Sequence, residues 1–215
     1  MAKVRDLVSG LTHCIAAGLS LIGLVILIVF ASIWGNAYHI VSFTIFGSSL
    51  FLLYLFSTLY HWLNIGEKGL SVFRKFDHIM IYIFIAASYT PVCLTALRGA
   101  WGWSIFGVQW GLALLGTIFS AIWIKAPRWV TTSIYIAMGW IIVFVFRTII
   151  STLPIGAFLW LLAGGIIYTI GGVLYALKLN LFNSKHTTFG SHEIFPLFVL
   201  GGSICHFIFM YIYVA

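Results

Sequence analysis

The stretch Leu19–Trp34, LSLIGLVILIVFASIW, is apolar on all sides. It has neither the polar face of a soluble helix nor the alternation of a barrel strand. With its flanks it forms a run from about residue 11 to 33. That is long enough to cross a hydrocarbon core of about 30 Å, which takes roughly 20 residues of helix. Six more such runs follow, at about 40–63, 77–97, 103–124, 130–150, 156–178 and 193–214. Short polar breaks separate them, so no soluble domain hangs off the bundle.

Composition agrees. Hydrophobic residues make up 62% of the chain and charged residues only 7%, with a mean hydropathy of +1.12. These values lie far outside the soluble globular range. The first run follows Lys3 and Arg5 as a signal peptide's core would. It exceeds the usual 7 to 15 apolar residues of such a core, so it is read as a helix of the mature protein.

The net charge of +7 does not point to nucleic acid, because the basic residues are spread over loops rather than gathered on one face. Their distribution reports topology instead. Lys3, Arg5, Lys68, Arg74, Lys75, Lys125, Arg128, Lys178 and Lys185 fall on the N-terminal side of the membrane, and only Arg98 and Arg147 on the other. Cytoplasmic loops carry the Lys/Arg excess. The expectation is therefore an all-α integral membrane protein of the cell membrane, a seven-transmembrane helix bundle. Its N-terminus is cytoplasmic, its C-terminus outside, and residues 1–215 form one domain.

Cys14, Cys93 and Cys205 sit singly in apolar segments with no C-x-x-C pair, which makes them packing residues rather than a disulfide framework. Gly164-Gly165, Gly171-Gly172 and Gly201-Gly202-Ser203 let helices approach closely. Pro91 falls inside the third run, where a hydroxyl such as that of Thr90 can serve a freed carbonyl.

Ionisable side chains inside a membrane cost several kcal/mol and mark sites. Here they are His13, His61, Asp77, His78, His192, Glu193 and His206. By helix parity, all but His206 fall within a turn or two of the cytoplasmic face. His206 is 14 residues from His192, about 21 Å along a helix, and cannot share an ion with it. Ser57 and His61, four apart, lie on one helical face. The convergence of His61, Asp77 and His192 indicates a metal or proton-transfer site. Two imidazoles and a carboxylate favour zinc or another borderline divalent ion over magnesium or calcium.

The chain resembles the hemolysin III and progestin/adipoQ receptor family, in particular its bacterial hemolysin III branch. The resemblance is carried by LTH at Leu11–His13, STLYH at Ser57–His61, FDHIMIYIFIAASYTP at Phe76–Pro91 and SHEIFPLFVLGGSICHF at Ser191–Phe207. It implies seven helices with an interior N-terminus and a zinc near the cytoplasmic face. His61 is then the first ligand, His192 the second, and Asp77 the carboxylate on a zinc-ligated water, with Ser57 beside His61. The third ligand should be a histidine at 196, where this chain has Pro196.

Proline offers no donor and suits only a helix's first turn; if the regular last helix begins near residue 196, the residues that remain still span the membrane. A zinc site with more water, a site rebuilt with Asp77 or Glu193, and no metal at all are the three outcomes that follow. The functions in view are a zinc-dependent hydrolase of a lipid amide or ester, with Asp77 and Ser57 catalytic, or a non-enzymatic pore, hemolytic or membrane-stress protein. The expected partners are membrane lipids and a lipid substrate.

Overall fold

The computed structural model describes residues 6–123, 125–177 and 191–214, with side chains from residue 194 in the last stretch. Every regular element among them is helical: α1 (Leu7–Trp34), α2 (Ala37–Trp62), α3 (Glu67–Pro91), α4 (Ala100–Ile122), α5 (Arg128–Gly139), α6 (Phe146–Thr152), α7 (Ile155–Leu177) and α8 (Ser191–Phe209). Seven stretches are long and apolar enough to span a membrane, with α5 and α6 forming one crossing. The protein is a multi-pass integral membrane protein. Lys178, Lys185 and His186 lie outside the described residues.

α1 shows how the bundle is organised. Ser9, Gly10, His13, Ala16, Ala17, Ser20, Leu27 and Ala31 are buried, a seam at helical spacing against α2, while Ile22, Val25, Ile26 and Val29 are exposed. An apolar outer face is what lipid requires, and small residues on the inner one let backbones approach. α7 pairs with α8 in the same way. A Cβ at Gly164 would stand 2.5 Å from the His206 ring, at Gly171 2.5 Å from Phe198 Cβ, and at Gly202 2.5 Å from the Tyr168 ring. Gly165 meets nothing within 4 Å, so only one residue of that pair serves packing.

Three elements depart from the expected boundaries. α1 begins at Leu7 because the Asp6 side chain caps it, accepting from the Ser9 N–H at 3.2 Å. α3 begins at Glu67, ten residues before the apolar run. Its first turns carry Lys68, Arg74 and Lys75 and so escape a hydropathy reading, although charged straight-chain residues are good helix formers. α8 begins at Ser191, two residues before the expected run, and carries Pro196 inside it rather than in its first turn. One helix hydrogen bond is lost to the proline, and the Tyr54 hydroxyl donates to the Pro196 carbonyl at 3.1 Å.

Pro91 ends α3, and a single π-helical turn, Val92–Ala96, follows. The Thr90 hydroxyl donates to Ala86 O at 3.0 Å. That is one residue short of Ala87, the carbonyl that a proline at 91 leaves open.

The fifth crossing is interrupted by a 3₁₀ stretch, Trp140–Val145. Side chains from neighbouring helices serve the displaced backbone groups there. Gln109 Nε2 donates to Met138 O at 2.8 Å, and the Tyr89 hydroxyl reaches the Met138 and Gly139 carbonyls while accepting from the Ile142 N–H at 3.0 Å.

Candidate functional site

The start of α1, the end of α2 and the early part of α3 lie at one end of the bundle. α1 and α2 close tightly there because Gly10 leaves room for Trp62: a Cβ at residue 10 would stand 1.9 Å from the indole. This closeness places His13 of α1 against the last two turns of α2. His13 Nε2 lies 3.2 Å from Ser57 Oγ, both side chains buried. The His13 and His61 rings are parallel to within 7°, centroids 5.5 Å apart, and the Tyr60 ring stands edge-on to His61 at 5.0 Å.

Behind His61 stands Asp6. Its Oδ2 is 3.4 Å from His61 Nδ1, and it accepts from the Ser9 hydroxyl at 2.7 Å. The Asp6 N–H donates to the His61 carbonyl at 3.2 Å. The same short segment therefore caps α1 and ties down the final turn of α2.

His13, Ser57 and Asp77 all line a cavity of about 470 Å³ that runs into the bundle among α3, α5, α7 and α8. Beyond this polar end its wall is mostly apolar and aromatic, with Phe84, Ile142, Phe158 and Leu161 among the residues. Pro196 lines the cavity as well, close to Tyr54, whose ring lies 5.9 Å from that of His13. His206, expected to stand apart, lines the same cavity and packs edge-on to Tyr168 at 5.3 Å. His78 turns back on its own helix, Nδ1 2.8 Å from Arg74 O, and is 4.0 Å from Asp77 Oδ2.

Of the residues that the sequence nominates, Ser57 and Asp77 line this cavity, whereas His61 is not among its lining residues and stacks on His13, which is. The backbone of α8 includes His192 and Glu193, but their side chains lie outside the described residues. His13, which the sequence singles out only for its depth in the membrane, joins the site, as do Asp6 and Tyr54, which it does not single out. The spacing of Asp6, Ser9 or Gly10, and His13 on α1 is the signal for the first two, since residues three, four and seven apart share a helical face.

Among the described residues, no three His, Cys, Asp or Glu side chains form a metal-holding group. The donor chemistry nevertheless suits a borderline divalent ion. His61 is a buried imidazole whose outer nitrogen faces a carboxylate, the arrangement that orients ligating histidines. A second imidazole, His13, is stacked beside it. His192 is the remaining sequence-nominated donor.

A seven-helix membrane bundle with a histidine, serine and aspartate site at one end, opening on an internal apolar cavity, is thus the class of protein that fold and site define. The chain belongs to the haemolysin-III related family, whose model matches residues 1–207. It is 40% identical over 210 residues to Hemolysin-3 of Bacillus cereus, covering 98% of this chain and 92% of that one. It is 37% identical over 203 residues to the Hemolysin-3 homolog of Bacillus subtilis (strain 168), covering 94% and 91%. A more distant relative is the monocyte to macrophage differentiation factor of Homo sapiens, 29% identical over 179 residues, covering 79% and 69%.

Proposed function

We propose that this haemolysin III family protein is a zinc-dependent hydrolase that cleaves a lipid amide or ester at the cytoplasmic face of the membrane. The observation that carries the reading is the polar end formed by His13, Ser57 and Asp77 on an otherwise apolar cavity of about 470 Å³. Small-molecule sites typically have this size and this division, apolar walls with a few placed polar groups. An acyl chain fits the apolar part, which leaves the carbonyl at the polar end. The excess of Lys and Arg on the N-terminal side, nine against two, supports the cytoplasmic placement.

The roles follow from chemistry and position. Asp77 holds the attacking water, takes its proton as a general base and returns it to the leaving amine or alkoxide as the carbonyl–nitrogen or carbonyl–oxygen bond breaks. Ser57 donates its hydroxyl hydrogen to the carbonyl oxygen as negative charge develops there. His13, with Nε2 3.2 Å from Ser57 Oγ, keeps that hydroxyl oriented into the cavity. His61 and His192 would hold the zinc, with Asp77 as the carboxylate on its water. Zinc supplies Lewis acidity and makes a water acidic enough to lose its proton near neutral pH. Pro196 adds no donor, so the ligand set is smaller than the family resemblance implies.

The test is fatty-acid release by the purified protein in detergent micelles, followed by mass spectrometry over a panel of long-chain amide and ester lipids. The expected result is turnover that a chelator suppresses and zinc restores. No turnover with or without added zinc would overturn the hydrolase reading. Dye release from vesicles without lipid cleavage would instead favour the lytic reading carried by the names of the Bacillus relatives.

A further inference from the structure

We infer that Asp6 is the positioning residue for His61, so that the first turn of α1 acts in the site as well as capping its own helix. The inference rests on the zinc reading proposed above. It adds a residue to which that reading gives no role.

The geometry has three parts. The Asp6 carboxylate lies 3.4 Å from His61 Nδ1, an ion-pair distance rather than an ideal hydrogen bond. The carboxylate is itself fixed by two contacts from Ser9, the N–H at 3.2 Å and the hydroxyl at 2.7 Å. The backbone closes the loop from the other side, with the Asp6 N–H donating to the His61 carbonyl at 3.2 Å. His61 is buried and held on its faces and edges by His13 and Tyr60. Its ring thus has a set orientation and a charged partner at Nδ1.

A carboxylate at Nδ1 favours the tautomer with its proton on that nitrogen. Nε2 then carries the lone pair, and the imidazole becomes a stronger donor. The Asp6 side chain is 39% exposed while that of His61 is 5% exposed, so the negative charge stays at the water-facing edge. The imidazole sits inside the bundle. This arrangement spares the protein the cost of burying a free carboxylate. In a chain where residue 196 is a proline, a well-oriented His61 also offsets part of the lost ligand.

A purely structural role, capping α1, predicts something different, and one substitution separates the two. Asparagine caps a helix about as well as aspartate, so Asp6→Asn keeps an acceptor for the Ser9 N–H while removing the charge and the acceptor that faces His61.

The experiment measures zinc and cobalt(II) affinity of the purified full-length protein in detergent, together with thermal unfolding of the metal-free form. Asp6→Asn is expected to weaken both metals by about 10- to 100-fold at an unchanged melting temperature, with Asp6→Glu recovering most of the loss. Asp6→Ser, another good cap without charge, carries the same expectation should the asparagine variant fail to fold. Parental metal affinity in the uncharged variants would overturn the inference and leave Asp6 a cap. A parent protein that binds neither metal would instead overturn the zinc reading beneath it.

Discussion

Asp77→Asn is expected to lower lipid hydrolysis by about 10²- to 10⁴-fold, the range that a positioned general base contributes. The substitution is nearly isosteric and leaves an oxygen where the carboxylate was, so it removes proton-accepting power without emptying space. Asp77 lies ten residues into α3, about 15 Å along its axis, and its side chain lines the cavity. Its neighbour His78 is 4.0 Å away and already engaged with the Arg74 carbonyl, so the fold does not depend on the pair. The variant should melt within a degree or two of the parent, while turnover falls at saturating substrate. Retention of turnover to within about tenfold would remove Asp77 from the chemistry.

The largest effect on stability is expected at Gly102, where α4 begins against the end of the third crossing. A Cβ there would stand 2.3 Å from the Cys93 carbonyl oxygen and 2.5 Å from that of Leu97. Both are backbone atoms, and the Gly102 N–H donates to the second of them at 3.1 Å. No flexible side chain can give way, so Gly102→Ala must push two crossings apart. Overpacking of this kind costs about 1–3 kcal/mol and more when backbone has to move. Gly18→Ala is the control, because a Cβ at residue 18 meets nothing within 4 Å and alanine is the better helix former. In a detergent thermal melt, Gly102→Ala should unfold well below the parent and Gly18→Ala at or slightly above it. Equal melting of Gly102→Ala and parent would contradict the close approach described here.

The crossings are legible in the sequence because bilayer thickness fixes the length of an apolar run, and LSLIGLVILIVFASIW is unambiguous on that criterion. What hydropathy cannot see is helix that continues through charge. The start of α3, from Glu67 to Lys75, reads as loop by composition yet is helical. The 3₁₀ break after Gly139 is invisible for another reason: its backbone groups are met by Tyr89 and Gln109 from other helices, a tertiary event with no local signature. Pro196 reads locally as a first-turn residue, yet α8 starts at Ser191 and carries the proline inside it, another placement that tertiary packing decides.

For the site, helix parity brings Ser57, His61 and Asp77 to one end; Ser57 and Asp77 line one cavity, and His61 stacks on His13 at its wall. Parity sets depth and not direction, however. His13 is at the right depth, but its direction toward Ser57 follows from how Gly10 packs on Trp62. Asp6 precedes the apolar run altogether, so a search confined to membrane segments passes over it. His206 is the converse case: far from the polar end along α8, it still reaches the same cavity because the cavity is long.

The central claim, a zinc site at the polar end of the bundle, is tested most directly by the metal content of the purified protein beside a Pro196→His variant. Both are loaded with zinc, desalted and assayed for metal per chain. The account predicts zinc in both, more weakly held in the parent because residue 196 offers no donor, and more tightly held once histidine restores one. Absence of zinc from the parent, whether or not the variant binds it, would contradict the account.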